Sequence, residues 1–338
     1  MNKLRIAKQF LKLAKELTGG LLEPPPAMIE PIFDWTMAVL AFQHSRKTRY
    51  IFEKLKDVDW DMVDLNDVKT LPPAMTMGML MKMEEKGPEK IMREMEQSLK
   101  RDDALMSKSP YTPKLGKKFK QKFNTDLTGW RYADEMKRRN LELYKKALKI
   151  YKSISVVVDA ELNSRMAQAM WSSKPPTLTI MTVSDPGQID RNELKHLIKH
   201  ELRHFSQSLL AAMTKSSGGY PSKKIRTPDI SQGMIHLKNV PPSTKKMMLR
   251  LDEQGITPDL YHNLDDKEFY TDLADAIEDV KDRMRGVSGG QRIDTLKALA
   301  GEDSEGLGIK PVRFFAVLRK HAMGKWKKAV SELAKALL

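Results

Sequence analysis

Apolar residues recur at helical spacing over most of this 338-residue chain. Residues 1–22 are expected to form a basic amphipathic leader helix, because lysine and arginine surround one apolar face and "TGG" ends the pattern. That face carries Leu4, Ala7, Leu11 and Ala14. The proline-rich stretch "EPPPAMIEP" at 23–31 is interpreted as a linker. Further helices are predicted near 34–56, 73–101, 131–152, 265–286 and 311–336.

Two β-branched stretches interrupt this helical pattern. "SISVVVD" at 153–159 and "PPTLTIMTVSD" at 175–185 predict short strands. A helix follows the second strand directly, and Asp190 with Glu193 matches a capping box, so we expect it to run from Arg191 to about Met213. Its apolar stripe comprises Leu194, Ile198, Phe205, Leu209 and Ala212. The pattern predicts an α+β fold that is mostly helical, with a small twisted sheet.

Composition narrows the classes of protein that fit. The absence of cysteine excludes disulfides and any metal or nucleophile site built on a thiol. No apolar run approaches the roughly 18 residues of a membrane span. The N-terminus lacks the apolar core and cleavage pattern of a secretory signal. We therefore expect the protein in the cytoplasm or packaged inside a larger particle.

The predicted helix at 191–213 carries the sequence His-Glu-Leu-Arg-His. His200 and His204 lie one turn apart on the same side, a spacing that lets two imidazoles hold one zinc ion. Glu201 lies close to the apolar stripe, where a carboxylate is unfavourable unless it is paired or faces a cavity. In that position it can take a proton from a water that the metal activates. Seven histidines in 338 residues would give this pattern by chance roughly 0.01 times per chain.

A third protein ligand has to come from elsewhere in the chain. His196 is one turn before the pair. At a rise of 1.5 Å per residue, it lies about 12 Å along the helix axis from His204, too far for all three histidines to bind one ion easily. We therefore interpret it as a supporting or surface residue. The acidic helix offers "EFYTD" at 268–272, in which Glu268 and Asp272 share a face. Glu268 can reach a metal held by a facing helix, and Asp272 can accept the second ring N–H of a histidine ligand. The alternatives to Glu268 are Asp265, Asp266, Asp272 and His262.

The two motifs together resemble those of the zincin metallopeptidases of the gluzincin, thermolysin-like type, over roughly 150–286. The resemblance implies that His200, His204 and Glu268 bind one zinc ion. It also implies that Glu201 is the general base and that Asp272 orients His200. The substrate would be a peptide or protein lying along the strand at 175–184 as the sheet edge. The candidates to stabilise the oxyanion are Tyr261, His262, Tyr270 and Tyr220.

The resemblance and the linkers divide the chain into five expected regions. They are the leader at 1–22, a helical region at 32–106, a basic linker at 107–130, a zincin-like catalytic domain at 131–286 and a C-terminal helical extension at 287–338. The fold expected for the catalytic domain is a zincin-like metallopeptidase core, with the small sheet beside two site helices.

The charge of the chain leaves two other functions open. The formal net charge is +15, with lysine-rich runs at 114–123 and 319–328 and an acidic segment at 265–282. A basic nucleic-acid-associated protein, or one that binds another polyanion, would use Lys117, Lys118, Lys120 and Lys122, which alternate with aromatic residues suited to base stacking. The helical extensions would suit a structural or assembly protein, for example of a virus particle or mobile element, that retains a zincin fold. The presence of Glu201 argues against a protein that retains the zincin fold but has lost its catalytic activity.

Overall fold

The computed structural model describes residues 23–110, 119–159, 168–215, 266–300 and 322–337, except positions 66, 68, 74 and 184, together with 314, 315, 318 and 319. These residues belong to two compact units. The first unit comprises 24–133 and 149–205, and the second contains the described parts of 134–148 and 206–338. The described chain is mostly helical with one four-stranded sheet, as expected for the α+β class.

The first unit begins with a long helix, α1 (Pro26–Leu55). The interpretation of 23–31 as a linker is therefore wrong. Pro26 is compatible with the first helical position, because the N–H that it lacks would have no partner there. Buried apolar side chains such as Ile32 anchor the first turns, and their burial offsets the hydrogen bond lost at Pro31 inside the helix.

Two helices follow where the sequence predicts one at 73–101. They are α2 (Met77–Lys86) and α3 (Pro88–Lys108). The break falls at Gly87, whose φ of 83° is a conformation that glycine adopts without strain. Pro88 then starts the next helix, as proline does readily at a first helical position. α3 packs along α1 and forms the main helical contact of this unit.

Methionine is divided between core and surface in this part of the unit. Met83 is buried in a small apolar cluster with Leu55 and Ile91. Three methionines are instead largely exposed: Met62, Met77 and Met81, at 77%, 72% and 64%. The flexible thioether fills irregular apolar gaps, so the buried methionines act as packing residues.

A mixed four-stranded sheet lies in the first unit, in the order β1-β2-β4-β3. The strands are β1 (Phe119–Asn124), β2 (Ser153–Asp159), β3 (Gln168–Ser173) and β4 (Pro176–Met181). β2 pairs antiparallel with β1 and parallel with β4, and β3 pairs antiparallel with β4. β2 and β4 confirm the strands predicted at 153–159 and 175–185.

Two expectations about this region are corrected by the sheet. The segment 107–130 was expected to be a basic linker, but it contains β1, in which Phe119 and Phe123 are buried and the lysines between them are exposed. This alternation is that of a half-buried strand. The strand at 175–184 was expected at the sheet edge, but β4 lies between β2 and β3, so its main-chain groups are paired on both sides.

Two short helices replace the single helix predicted at 131–152. They are α4 (Arg131–Arg139) and α5 (Leu141–Tyr151). Asn140 separates them, and its side-chain oxygen accepts a hydrogen bond from the Leu143 N–H at 3.1 Å. Asparagine is favoured at such a cap because it satisfies an N–H of the first turn that has no partner inside the helix. The helix predicted after β4 follows as α6 (Arg191–Lys215).

The second unit contains α7 (Asp266–Arg283), α8 (Gly289–Ala300) and α9 (Met323–Leu337). α7 confirms the acidic helix predicted at 265–286. α9 packs on both of the others. The buried apolar residues that they enclose include Phe269, Leu273, Ile277, Val280, Phe315, Leu318 and Leu333. Within the described part of the chain, no helix combines the length and the apolar character needed to cross a membrane.

Candidate metal centre

α6 begins at a capped N-terminus. The Asp190 carboxylate accepts hydrogen bonds from the backbone N–H groups of Asn192 and Glu193, at 2.8 and 3.2 Å. This confirms Asp190 as the predicted cap, and it satisfies two of the N–H groups that have no partner inside the helix. The cap fixes where α6 starts and therefore which later residues share a face.

The apolar stripe of α6 is buried along most of its length. Its fully buried members are Leu194, Ile198, Phe205 and Leu209, whereas Ala212 is half-buried and Met213 is buried beside it. Phe205 makes edge-to-face contacts with the rings of Tyr151 and Trp171, with centroids 5.8 Å apart in both pairs. Because Trp171 belongs to β3, these contacts place α6 against that strand.

His200, Glu201 and His204 form one group on α6. One ligand atom of each, a ring nitrogen or a carboxylate oxygen, lies within 4.8 Å of the other two. The two imidazole rings are 5.2 Å apart between centroids and are inclined at 76°. His204 and Glu201 are 9% and 8% exposed, and His200 is half-buried. The group is thus largely withdrawn from water but accessible at His200.

This set of donors fits a zinc ion. Two imidazole nitrogens at about 2.0–2.1 Å from a tetrahedral ion are about 3.3 Å apart, and ring nitrogens of His200 and His204 lie within 4.8 Å of each other. Neutral imidazole is a common zinc ligand, and a neighbouring carboxylate adds negative charge that favours a cation. The three residues suit an ion held by His200 and His204, with Glu201 beside it.

The stretch 201–206 buries more polar groups than a packing helix usually does. Arg203 is 3% exposed and Ser206 is fully buried, in addition to Glu201 and His204. Each of these four residues has an interaction partner, so this part of α6 makes polar interactions as well as apolar packing. Arg203 and Ser206 belong to no recognised spacing, so the sequence alone does not predict their burial.

Cationic side chains attach the first turns of α6 to α1. The Lys195 ammonium lies 2.7 Å from a Glu30 carboxylate oxygen. Lys195 and Arg191 also lie over the Phe33 ring, at 4.8 and 5.3 Å from its centroid. His196, the neighbour of Lys195, is half-buried and is not part of the group formed by His200, Glu201 and His204.

The acidic residues singled out as a possible third ligand belong to the second unit. Glu268 lies on the first turn of α7, where the structure describes the backbone but not this side chain. Asp272 lies one turn later, and one of its carboxylate oxygens lies within 4.8 Å of a carboxylate oxygen of Asp275. No motif in the sequence singles out Asp275. Gln207, on the last turns of α6, donates a hydrogen bond to the Thr271 hydroxyl at 3.1 Å, so α6 and α7 are in contact within this unit.

Of the proposed oxyanion residues, the structure describes Tyr270. Its hydroxyl oxygen accepts a hydrogen bond from the Lys328 ammonium at 2.7 Å, and the same ammonium lies 4.3 Å from the centre of the ring. The proposed residues Tyr220, Tyr261, His262 and Asp265 lie outside the described residues, as does the side chain of Asp266.

The lysines proposed to bind a polyanion are described in part. Lys120 and Lys122 are exposed on β1, and Lys117 and Lys118 lie outside the described residues. The intervening aromatic rings are buried, with Phe119 packed against Phe42 and Phe123 against Trp35 of α1. These rings cannot stack on bases without leaving the core, so only the charge remains in favour of nucleic acid.

Comparison of the chain with protein-family models, with curated proteins and with solved structures gave no match. The function of the site is therefore argued from the motif residues and from the geometry of α6.

Proposed function

We propose that this protein is a zinc-dependent metallopeptidase that hydrolyses peptide bonds. One observation carries the proposal: His200, Glu201 and His204 bring their ligand atoms within 4.8 Å of one another on a buried part of α6. The spacing His-Glu-x-x-His combines two metal ligands one turn apart with a carboxylate suited to proton transfer beside them.

Each residue of the group has a separate task. A zinc ion held by the two histidines would lower the pKa of a bound water to about 7 and polarise the scissile carbonyl. The Glu201 carboxylate would accept the proton and deliver it to the leaving amine. Its burial strengthens its electrostatic effect, because little water lies around it to screen the charge. His200 and His204 must be neutral to bind metal, so acid should release the ion by protonating them.

The proposal assigns the remaining ligand to Glu268 and the orientation of His200 to Asp272. The two residues are four apart on α7 and therefore share a face. Tyr270 lies between them in sequence. As a residue two positions from each, it lies on another face of α7, where its hydroxyl oxygen accepts a hydrogen bond from Lys328, so the proposal gives it no oxyanion role.

An extended peptide is the form of substrate that suits this arrangement. Edge strands bind extended peptides through main-chain hydrogen bonds, as an added strand. In the described sheet, β3 is the edge strand beside β4, and its Trp171 contacts Phe205, the residue after His204. We therefore assign the substrate to the edge of β3 and no longer to β4.

Metal analysis tests the first part of the proposal. Purified protein is expected to contain about one zinc ion per chain, and the His200→Ala/His204→Ala variant is expected to contain none. His196→Ala is the matched control, since His196 lies on the same helix outside the group, and it should keep its zinc. A wild-type protein that stays metal-free after reconstitution, or a double variant that keeps its zinc, would overturn the proposal.

The Glu201→Gln variant separates metal binding from catalysis. An amide of the same shape cannot accept a proton, so the variant should retain zinc and fold but lose at least about 100-fold in kcat. Turnover of a denatured protein substrate, measured beside zinc content, checks this outcome. Equal turnover in the variant and the wild type would exclude Glu201 as the general base.

A further inference from the structure

A second polar cluster lies in the first unit, before the start of α6. It joins α1, α3 and the short 3-10 helix Pro186–Gln188 that precedes α6. The Nδ1 of His44 on α1 lies 2.6 Å from an Asp102 carboxylate oxygen on α3. Its other ring nitrogen lies 3.4 Å from the Thr48 hydroxyl and 3.9 Å from the Asp185 carboxylate. An ionised Asp102 can only accept, so Nδ1 of His44 carries the proton.

Arg101 joins the two carboxylates of this cluster. Its Nη2 lies 3.1 Å from Asp102 and 2.9 Å from Asp185, and it donates to the Ser98 hydroxyl at 2.8 Å. Asp102 is 0% exposed, so its burial would be costly without the contacts to Arg101 and His44. Apolar residues of similar size would hold α1 and α3 together at less cost, so the charged cluster is expected to fix something that apolar packing would not.

The element that the cluster fixes is the turn before α6. Asp185 accepts hydrogen bonds from the Gly187 N–H at 2.8 Å and from the Gln188 side-chain amide at 3.1 Å. Gly187 packs so closely that a Cβ there would overlap the Arg101 guanidinium. Burial acts to raise the pKa of Asp185, but the Gly187 and Gln188 hydrogen bonds and the nearby His44 and Arg101 charges outweigh it and lower the pKa. The carboxylate therefore stays ionised and keeps its partners.

We infer that His44, Arg101 and Asp102 are positioning residues for the metal-binding helix. They hold Asp185, and the turn built on Asp185 leads through a single residue to the Asp190 cap. At 1.5 Å per residue His200 lies about 15 Å along the axis from Asp190, so a tilt of about 4° at the start of α6 moves it by about 1 Å. A displacement of that size can lower the rate of a catalytic site about 100-fold. The catalytic part of this inference rests on the proposed function.

Two pairs of variants of the full chain test the inference. Gly187→Ala places a methyl group against Arg101, and Gly78→Ala is its matched control, because nothing lies within 4 Å of a Cβ at position 78. His44→Asn keeps a donor at the position of Nδ1 and should retain the bond to Asp102, whereas His44→Ala removes the donor.

The first measurement is amide hydrogen exchange in residues 191–205, which requires neither metal nor activity. Gly187→Ala and His44→Ala should speed exchange in this half of α6 at least about tenfold, because the turn that orients it is no longer held. Gly78→Ala and His44→Asn should leave exchange within about twofold of wild type. Exchange at wild-type rates in both Gly187→Ala and His44→Ala overturns the inference.

The second measurement is zinc affinity together with steady-state kinetics. Gly187→Ala should raise the Kd for zinc about tenfold and lower kcat about tenfold with little change in KM, since the ligands and the base are displaced but the substrate edge is intact. His44→Asn should restore both values that His44→Ala loses, which a variant that merely unfolds would not show. A wild type without zinc would overturn the proposed function instead, and the exchange data would then decide separately whether the cluster fixes α6.

Discussion

Glu201 is a buried acidic side chain beside His200 and His204. It is 8% exposed, and the neighbouring Ile198, Leu202 and Phe205 are fully buried. A buried carboxylate costs several kcal/mol unless positive charge or hydrogen bonds compensate for it. An ion held by His200 and His204 would add positive charge to the interactions that Glu201 already makes. The same ion would explain why two of the seven histidines of the chain are one turn apart beside it.

The third ligand is decided by single substitutions on α7. Glu268→Gln should lower zinc affinity by more than about 100-fold, because a metal ligand is removed, and Asp272→Asn by about 10–100-fold, because only the orientation of a ligand is lost. Asp282→Asn, on the exposed last turn of α7, is the control and should bind zinc like wild type. Competition with a chromogenic chelator gives the affinities. A larger loss in Asp272→Asn than in Glu268→Gln would make Asp272 the ligand.

Some residues of the site can be predicted from the sequence and others cannot. The spacing of His200, Glu201 and His204 lies within one helical turn, so helix periodicity alone groups them. His44 and Asp102 are 58 positions apart, and only the packing of α1 on α3 brings them together. No local pattern encodes a contact of that kind, and for the same reason the burial of Arg203 went unnoticed.

The cap of α6 makes a prediction about one element. Asp190→Ala removes the acceptor for two backbone N–H groups and should lower the free energy of unfolding by about 1 kcal/mol. Asp190→Asn keeps a side-chain oxygen at the same position and should cost only a few tenths of a kcal/mol. Urea denaturation of the two variants and the wild type makes the comparison. Similar losses for alanine and asparagine would show that charge, and not the cap hydrogen bond, stabilises the start of α6.

The elements that the sequence predicted well are those with strong periodicity and clear ends. β2, β4, α6 and α7 were found within a few residues, because β-branched runs and amphipathic spacing mark them. The breaks at Gly87 and Asn140 were missed, since amphipathic spacing continues across both. The sequence predicts a linker in place of β1, because exposed lysines dominate a stretch with only two buried aromatic residues.

At the scale of the whole molecule, the basic charge predicts a second kind of interaction. Replacing Lys117, Lys118, Lys120 and Lys122 by glutamine should leave turnover of a small peptide nearly unchanged, because none of them belongs to the metal centre. Retention on DNA should weaken, and the log–log salt slope should flatten by up to about 4 units if every lysine meets a duplex phosphate. Salt titration of wild type and variant on immobilised DNA measures this slope.

The opposite outcome also has a physical explanation. β1 is at one end of the described sheet, and exposed lysines on such a strand discourage pairing with the sheet of another molecule. If wild-type protein shows no salt-sensitive retention on DNA at low ionic strength, the polyanion prediction fails. The glutamine variant should then aggregate more readily than the wild type, which light scattering would detect.

Sulfur chemistry in this chain belongs to methionine alone, because 22 methionines are accompanied by no cysteine. Among the described methionines, an oxidant reaches the thioethers of Met62, Met77 and Met81 first, since these side chains lie mostly in water. The sulfoxide oxygen added there is hydrated, and it disturbs no packing. At Met83 the same oxygen would enter the small apolar cluster beneath α2. The outer methionines can therefore consume oxidant while α2 remains folded, and oxidation of Met83 would disturb the packing of α2.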